Sequence, residues 1–125
     1  MSEKLYTGGC HCGAVKFEVM VEDVEKLIQC NCSMCRKTGY LHLFVSRDEF
    51  RLLKGEEALE NYQFNTKTAS HFFCKACGIK SFYIPRSHPD GYSIHAGCLE
   101  DFDLDSVQIE PFDGGNWEDN VDSIR

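Results

Sequence analysis

The sequence has 125 residues, with 13 Lys and Arg against 20 Asp and Glu, and a formal net charge of −7 at pH 7. This length suits one folded domain, predicted to span residues 1–125, and a hydrophobic content of 42% argues against a disordered chain. The acidic balance disfavours nucleic acid as a partner, and no apolar run approaches the roughly 18 residues that a membrane span needs.

Strand patterns and short turns follow one another from residue 15 to residue 96. Alternation of apolar and polar residues predicts strands over 15–19 and 41–45, the second with His42 and Phe44 on the face opposite Leu43. Between them, Ser33 is predicted to cap a short helix over 34–37 that Gly39 ends, and 48–50 is predicted to add a helical turn. Further strands are predicted over 60–64, 69–73, 80–84 and 92–96, with a turn over 86–91.

The segment that begins at Glu100 is acidic but carries regularly placed apolar residues. These residues are Phe102, Leu104, Val107, Ile109, Phe112 and Trp117. We expect this tail to fold back onto the body, with Trp117 as a packing anchor and the charges on a solvated face. The sequence thus predicts a mainly β, small antiparallel domain with short helical turns.

Eight cysteines are far more than a chain of this length ordinarily carries, and seven of them form three tight clusters. The clusters are Cys10-His11-Cys12, Cys30-Asn31-Cys32-Ser33-Met34-Cys35 and Cys74-Lys75-Ala76-Cys77, and Cys98 stands alone. The N-terminal residues contain no signal-peptide core, so we expect a reducing, cytoplasmic location. There, closely spaced cysteines are metal ligands more often than disulfides.

Zinc prefers four nitrogen or sulfur ligands in a tetrahedron, and counting ligands divides the cysteines into two groups. The four-cysteine cluster consists of Cys10, Cys12, Cys74 and Cys77. The three-cysteine cluster consists of Cys30, Cys32 and Cys35. The first forms a complete set for a structural zinc, whereas the second leaves one position open, as in catalytic zinc sites. Cys98 could close that position or could be a buried small apolar residue. We expect two Zn²⁺ ions per chain.

These motifs together resemble the glutathione-dependent formaldehyde-activating family, which also includes centromere protein V. The similar segments are Gly8-Gly9-Cys10-His11-Cys12-Gly13, Cys30-Asn31-Cys32-Ser33-Met34-Cys35-Arg36-Lys37, Phe73-Cys74-Lys75-Ala76-Cys77-Gly78 and Pro85-Arg86-Ser87 leading to Leu99. The resemblance implies a tent-like β fold, a structural zinc at the four-cysteine cluster and a more labile zinc at the three-cysteine cluster, near the active site. The implied activity is condensation of glutathione with formaldehyde to S-(hydroxymethyl)glutathione, formally a carbon–sulfur lyase reaction in reverse.

The function predicted from these features is that of a zinc-dependent enzyme acting on a thiol–aldehyde adduct, with a small thiol such as glutathione as partner. Glutathione is anionic, so its binding needs local cations and polar groups. The candidates are Arg36, Lys37, Arg86, Ser87 and His95. His11, His42 and His71 are predicted to face solvent or to pack as structural residues.

Two other interpretations are compatible with the same cysteines. If Cys98 completed the second tetrahedron, the chain would be a non-enzymatic zinc-binding module that serves as a platform for a protein partner. Reactive thiolates in the three-cysteine cluster would also suit a redox or zinc-storage role.

Overall fold

Ten β-strands and one α-helix form the part of the chain that the computed structural model describes, residues 4–22, 24, 26–63, 69–88, 90–100, 102–116, 118 and 121. The strands are β1 (Lys4–Gly9), β2 (Lys16–Val21), β3 (Lys26–Cys30), β4 (Leu41–Ser46), β5 (Phe50–Lys54), β6 (Leu59–Tyr62), β7 (His71–Cys74), β8 (Phe82–Tyr83), β9 (Gly91–His95) and β10 (Gln108–Phe112). The α-helix, α1, spans Ser33–Thr38, and short 3-10 turns occupy Arg47–Glu49, Glu56–Ala58, Ala96–Cys98, Leu104–Ser106 and Gly114–Asn116. This confirms the mainly β fold class with short helical turns. Within these residues, no helix is both long and apolar enough to cross a bilayer.

The strands are arranged in three sheets. Strand orders are β1-β2-β5 in a three-stranded sheet, β10-β3-β4-β9-β8 in a five-stranded sheet and β6-β7 in a two-stranded sheet. All pairings between these described strands are antiparallel except that of β10 with β3, which is parallel. The antiparallel expectation therefore needs this one correction. A parallel pair requires a long connection, and most of the chain lies between β3 and β10.

The core lies between the three-stranded and five-stranded sheets. On β2, Phe17 and Val19 are fully buried while Met20 faces outward, which is the predicted alternation. Phe17 packs edge-on against Phe82 of β8, with ring centroids 5.7 Å apart. Phe50 bridges the two sheets, because its ring lies 4.7 Å from that of Phe82 and 4.3 Å from that of Tyr92. These aromatic contacts join the sheets into one hydrophobic core.

Helix α1 and its N-cap each begin one residue earlier than predicted. Cys32, not Ser33, occupies the N-cap position, and its Sγ accepts the backbone N–H of Cys35. A thiol replaces the predicted hydroxyl cap because the same turn directs two cysteine side chains to one point. Gly39 ends the helix with a left-handed φ of 69°, as predicted, since a residue without Cβ adopts this conformation without strain.

The predicted strands are recovered, with some changes in length. Strands β2, β4, β6, β7 and β9 and the turn at Arg47–Glu49 lie where the patterns placed them, although Phe64 is outside the described residues. The strand predicted over 80–84 is reduced to Phe82–Tyr83. Just before it, the Ser81 carbonyl accepts the N–H of His95 at 2.9 Å outside the regular ladder, and the Lys80 side chain is buried. Strands β1, β3, β5 and β10 were not predicted.

The tail returns to the body as expected. Phe112 is buried, and Phe102 packs edge-on against Tyr6 with ring centroids 5.3 Å apart. Leu104 and Ile109 do not contribute as expected, since they remain 39% and 37% exposed on the outer side of the tail. The predicted anchor Trp117 is outside the described residues.

Candidate metal centres

Two turns bring the four-cysteine cluster together. Cys10 and Cys12 follow β1, and Cys74 ends β7 just before Cys77. All four Sγ atoms lie within 4.8 Å of one another, with Cys12 Sγ 3.6 Å from both Cys10 Sγ and Cys74 Sγ. Four sulfurs bound to one zinc at about 2.3 Å would be roughly 3.8 Å apart in a tetrahedron. The spacing and chemistry of this donor set therefore fit a tetrahedral metal ion, and all eight cysteines are free of disulfides.

Backbone N–H groups surround these sulfurs. The N–H of Val15 donates to Cys10 Sγ at 3.3 Å. Burial acts to raise the pKa of Cys77, but donation from the N–H groups of Cys12 and Ile79 lowers it to about 6. The Ala14 N–H lowers the pKa of Cys12, yet neighbouring thiols outweigh it and raise this pKa to about 11. Without a cation the four thiols therefore cannot all ionise together, and a bound divalent ion would remove this conflict.

The three-cysteine cluster forms where β3 passes into α1. Cys30 is the last residue of β3, Cys32 caps the helix and Cys35 lies in its first turn, with their Sγ atoms within 4.8 Å of one another. The Cys32 N–H donates to Cys30 Sγ at 3.4 Å, and the Cys35 N–H donates to Cys32 Sγ at 3.3 Å. Hydrogen bonds from Cys30 and Cys35 lower the pKa of Cys32 to about 2. The hydrogen bonds of Cys35 with Cys30 and Cys32 instead raise the pKa of Cys35. These three sulfurs could hold a second metal ion.

The tail covers one side of the three-cysteine cluster. The Asn31 N–H donates to the carbonyl of Phe112 at 3.1 Å, which fixes the end of β10 beside the end of β3. Gly114 then approaches so closely that a Cβ at this position would lie 2.2 Å from Cys30 Sγ. This approach was not predicted, because no local pattern links Gly114 with a cysteine more than 80 positions earlier.

A fourth protein ligand for the three-cysteine cluster is absent among the described residues. Neither Cys98 nor His42 belongs to the group of ligand atoms that lie within 4.8 Å of one another. Cys98 is half-buried, and its pKa is raised to about 11 by burial and by the nearby thiols of Cys10 and Cys77. Cys98 lines the same cleft as Cys10, and its sulfur is not grouped with those of Cys30, Cys32 and Cys35.

His42 is a site residue that the sequence analysis treated as structural. Its side chain is buried, and its Nε2 lies 3.2 Å from Cys35 Sγ. On the other side of the ring, Nδ1 lies 2.8 Å from Ser93 Oγ and 3.4 Å from Tyr83 Oη. Burial lowers the pKa of His42 to about 3, so the imidazole is neutral and orients the Cys35 sulfur through one hydrogen bond. The strand pattern gave no signal of this role, since His42 occupies the polar position of β4 and is buried only because of its distant neighbours.

A cleft of about 690 Å³ opens between the Cys10 turn and the C-terminal end of α1, and Cys10 of the four-cysteine cluster belongs to its lining. Its charged lining consists of Lys16, Lys37, Lys80 and Glu100, together with His11 and His95. Three lysines against one glutamate make this cleft locally basic in a chain with net charge −7. It can therefore attract an anionic ligand that the rest of the surface repels.

The structure brings together some of the residues predicted to bind substrate and separates others. Lys37 and His95 line the cleft, and the His95 ring stacks on Tyr40 with centroids 4.7 Å apart. Arg36 is exposed on α1 and does not line the cleft. Arg86 pairs with Glu118 at 3.6 Å, and Ser87 Oγ lies 2.7 Å from His88 Nδ1, both away from the cleft. Their roles in binding remain predictions.

Comparison with known proteins agrees with this geometry. The model of the family described as glutathione-dependent formaldehyde-activating enzyme matches residues 5–113. A Halomonas elongata protein named "Putative glutathione-dependent formaldehyde-activating enzyme" is 33% identical over 81 residues, which cover 58% of this chain and 52% of that protein. The match thus spans about half the length of this curated relative. The crystal structure of a Rhodobacter sphaeroides protein superposes with a TM-score of 0.76 at 36% identity, covering 84% of this chain and 97% of the other.

Proposed function

The chain belongs to the glutathione-dependent formaldehyde-activating enzyme family, and on that premise we propose that it is a zinc-dependent, carbon–sulfur lyase-type enzyme. Its substrate would be a thiol–aldehyde adduct such as S-(hydroxymethyl)glutathione, formed from glutathione and formaldehyde. The observation that carries the proposal is a set of three sulfurs with no fourth protein ligand among the described residues, next to a complete set of four. Three ligands and an open position are typical of catalytic zinc, and four sulfurs of structural zinc.

The donor sets fit zinc rather than harder cations, because thiolates are soft ligands and no carboxylate belongs to either group. The four-cysteine cluster would hold the structural ion and the three-cysteine cluster the second ion. Zinc bound at the second cluster would favour the thiolate form of a substrate thiol. A free thiol of pKa about 8.5 is roughly 3% ionised at pH 7, so complete ionisation gains at most about 30-fold in thiolate concentration, or about 2 kcal/mol.

The chain's own residues must supply the rest by positioning the substrate. Lys37 and Lys16 lie in the lining of the cleft, where they can bind the carboxylates of an anionic thiol such as glutathione. Lys16 Nζ lies 3.9 Å from Glu100 Oε1. This ion pair is long and exposed, so a substrate carboxylate can replace it at little cost in free energy. The Nε2 atom of His42 lies 3.2 Å from the Cys35 sulfur and holds it in place. Holding the aldehyde beside the thiol would contribute more than ionisation alone.

The test measures exchange between glutathione, formaldehyde and their adduct by NMR at equilibrium, because the uncatalysed reaction also proceeds. Zinc-loaded protein should accelerate this exchange, and Cys32→Ser should abolish the acceleration while the metal at the four-cysteine cluster stays bound. Cys98→Ser is the matched control for metal content, and it should retain two ions per chain. No acceleration by protein carrying two zinc ions would rule out this substrate pair.

The same experiment addresses the alternative of a non-enzymatic zinc-binding module. That interpretation needed Cys98 to fill the fourth position, and the Cys98 sulfur is not grouped with the three sulfurs of this cluster. If Cys98→Ser lost one of two zinc ions and the native protein showed no acceleration, the module would be the better description.

A further inference from the structure

Lys80 is a buried lysine whose role is not explained by either cysteine cluster. Its residue exposure is 6%, although lysines are almost never fully buried unless they are paired with an opposite charge. No carboxylate oxygen lies within 4.0 Å of its Nζ among the described residues. Among the described residues, the fold therefore buries this amine without a carboxylate partner.

The surroundings of the Lys80 amine are aromatic. Nζ lies 3.8 Å from the ring centroid of Tyr83 and 4.8 Å from that of Tyr40. It also lies 2.7 Å from Nδ1 of His71, whose ring stacks on Tyr83 with centroids 4.8 Å apart. Two ring faces and one imidazole hold the amine in a single position.

Burial favours the neutral amine, whereas the two ring faces and the nearby thiols favour the ammonium form. Burial lowers the pKa of Lys80 to about 8, against the opposing effect of the thiols in the three-cysteine cluster. Burial also lowers the pKa of His71 to about 4, and it raises the pKa values of Tyr40 and Tyr83, so these neighbours are neutral near pH 7.5. At pH 7.5 about a quarter of Lys80 is then unprotonated, against about 0.1% of an ordinary lysine, roughly a 200-fold difference.

Lys80 forms part of the cleft lining together with Lys37, His95 and Cys98, while its Nζ contacts Tyr40, Tyr83 and His71, which are not part of that lining. A one-carbon or two-carbon electrophile is small enough to reach it from the cleft. Desolvated lysines in apolar pockets are the usual nucleophiles toward carbonyl compounds in proteins.

We propose that Lys80 captures the small aldehyde substrate covalently and presents its carbon to the thiol in the cleft. The identification of formaldehyde as the aldehyde rests on the proposed function, whereas the capture of a small aldehyde rests on the position of this amine. The aromatic rings and His71 are positioning residues in this step, because they hold the amine without reacting.

The reaction balances without any oxidant or reductant. The Nζ lone pair attacks the carbonyl carbon, and transfer of a proton from nitrogen to oxygen gives a carbinolamine. Uptake of one proton and loss of water convert it to an iminium ion, R–NH=CH₂⁺. The substrate thiolate adds to the iminium carbon, and the C=N electron pair returns to nitrogen. Water then replaces the amine on that carbon, which releases Lys80 and the hydroxymethyl thioether, so that the sum is aldehyde plus thiol giving adduct.

The test is reductive trapping of the full-length, metal-loaded chain. One equivalent of ¹³C-formaldehyde is added at pH 7.5 with cyanoborohydride, and methylation of each lysine is followed by peptide mass spectrometry. Lys80 should be methylated at least tenfold faster than Lys54, an exposed lysine on β5 that serves as the internal reference. Lys80→Arg should lose this fast modification and the accelerated exchange, and Lys54→Arg should retain both.

Each outcome separates this inference from the proposed function. Methylation of Lys80 no faster than that of Lys54 overturns the inference, and this comparison needs no variant to fold. Full exchange activity in Lys80→Arg also overturns it and leaves the enzyme assignment intact. Rapid trapping at Lys80 without accelerated exchange supports aldehyde capture and contradicts the glutathione reaction.

Discussion

Substitution of Gly114 by Ala tests whether the tail sets the geometry of the three-cysteine cluster. The added Cβ would lie 2.2 Å from Cys30 Sγ and 3.1 Å from the Cβ of Cys32. The backbone at Gly114 is outside the left-handed region, so alanine is conformationally acceptable and the steric contact is the perturbation.

The size of the effect follows from that distance. Non-bonded atoms of this kind need about 3.5 Å or more, so the sulfur or the tail must move by roughly 1.3 Å. Metal–ligand distances tolerate only about 0.2 Å, which is far less than this displacement. We expect the affinity of the three-cysteine cluster for zinc to fall by roughly 100-fold, the upper range for changes around a metal's ligands.

The assay is competition for zinc with a chromophoric chelator, which resolves tight and weak sites on one chain. Gly114→Ala should weaken one site and leave the other unchanged, because the nearest atoms to the added Cβ belong to Cys30 and Cys32 of the three-cysteine cluster. Asp113→Ala is the matched control, since it alters the same turn without adding an atom near Cys30. Two sites of unchanged affinity in Gly114→Ala would refute the claim that the tail fixes this cluster.

Three further predictions concern the core, pH and metal removal. Phe17→Ala, at a fully buried position, should lower the free energy of unfolding in urea by about 3–5 kcal/mol, and Phe17→Leu by clearly less. Burial and the charge of Lys80 lower the pKa of His71 from 6.5 to about 4. Below pH 6.5 the unfolded chain therefore binds more protons than the folded chain, and the free energy of unfolding falls as the pH falls toward 4. Between pH 7.5 and 5.0 the wild type should therefore lose about 1–2 kcal/mol more than His71→Gln, and an equal loss in both would contradict this. Chelator should remove metal from the loaded protein in two phases, the three-cysteine cluster first, and a single phase would show that the sites are equivalent.

The grouping of the cysteines could be predicted because it depends only on short spacings and on the number of ligands that a tetrahedral metal takes. The two turns that carry the clusters are local structures, and the structure assembles both clusters as counted. The strands predicted over 15–19 and 41–45 could likewise be identified from alternating apolar residues, since these residues pack on the core.

Residues whose role depends on distant partners could not be predicted in this way. His42 acquires its position from Ser93, 51 residues later, and Lys80 from packing against Tyr40, just before β4, and Tyr83 of β8. Strand β10 was missed because it contains Pro111, which lacks an N–H and disfavours a strand. Proline is tolerated there since β10 is an edge strand, a property of the sheet order and not of the segment.

The two clusters differ in how much chain they close, and this difference supports separate roles. Cys12 and Cys74 are 62 residues apart, and joining such distant points costs roughly 4 kcal/mol of loop-closure entropy. A metal bound there stabilises the fold directly, because it holds β1 and β7 together against that cost. Cys30, Cys32 and Cys35 belong to one short turn that the backbone already forms, so a metal at this cluster closes almost no loop. The binding energy of such a metal would therefore not be required for folding, and we expect that this site could exchange ligands while the rest of the chain stays folded.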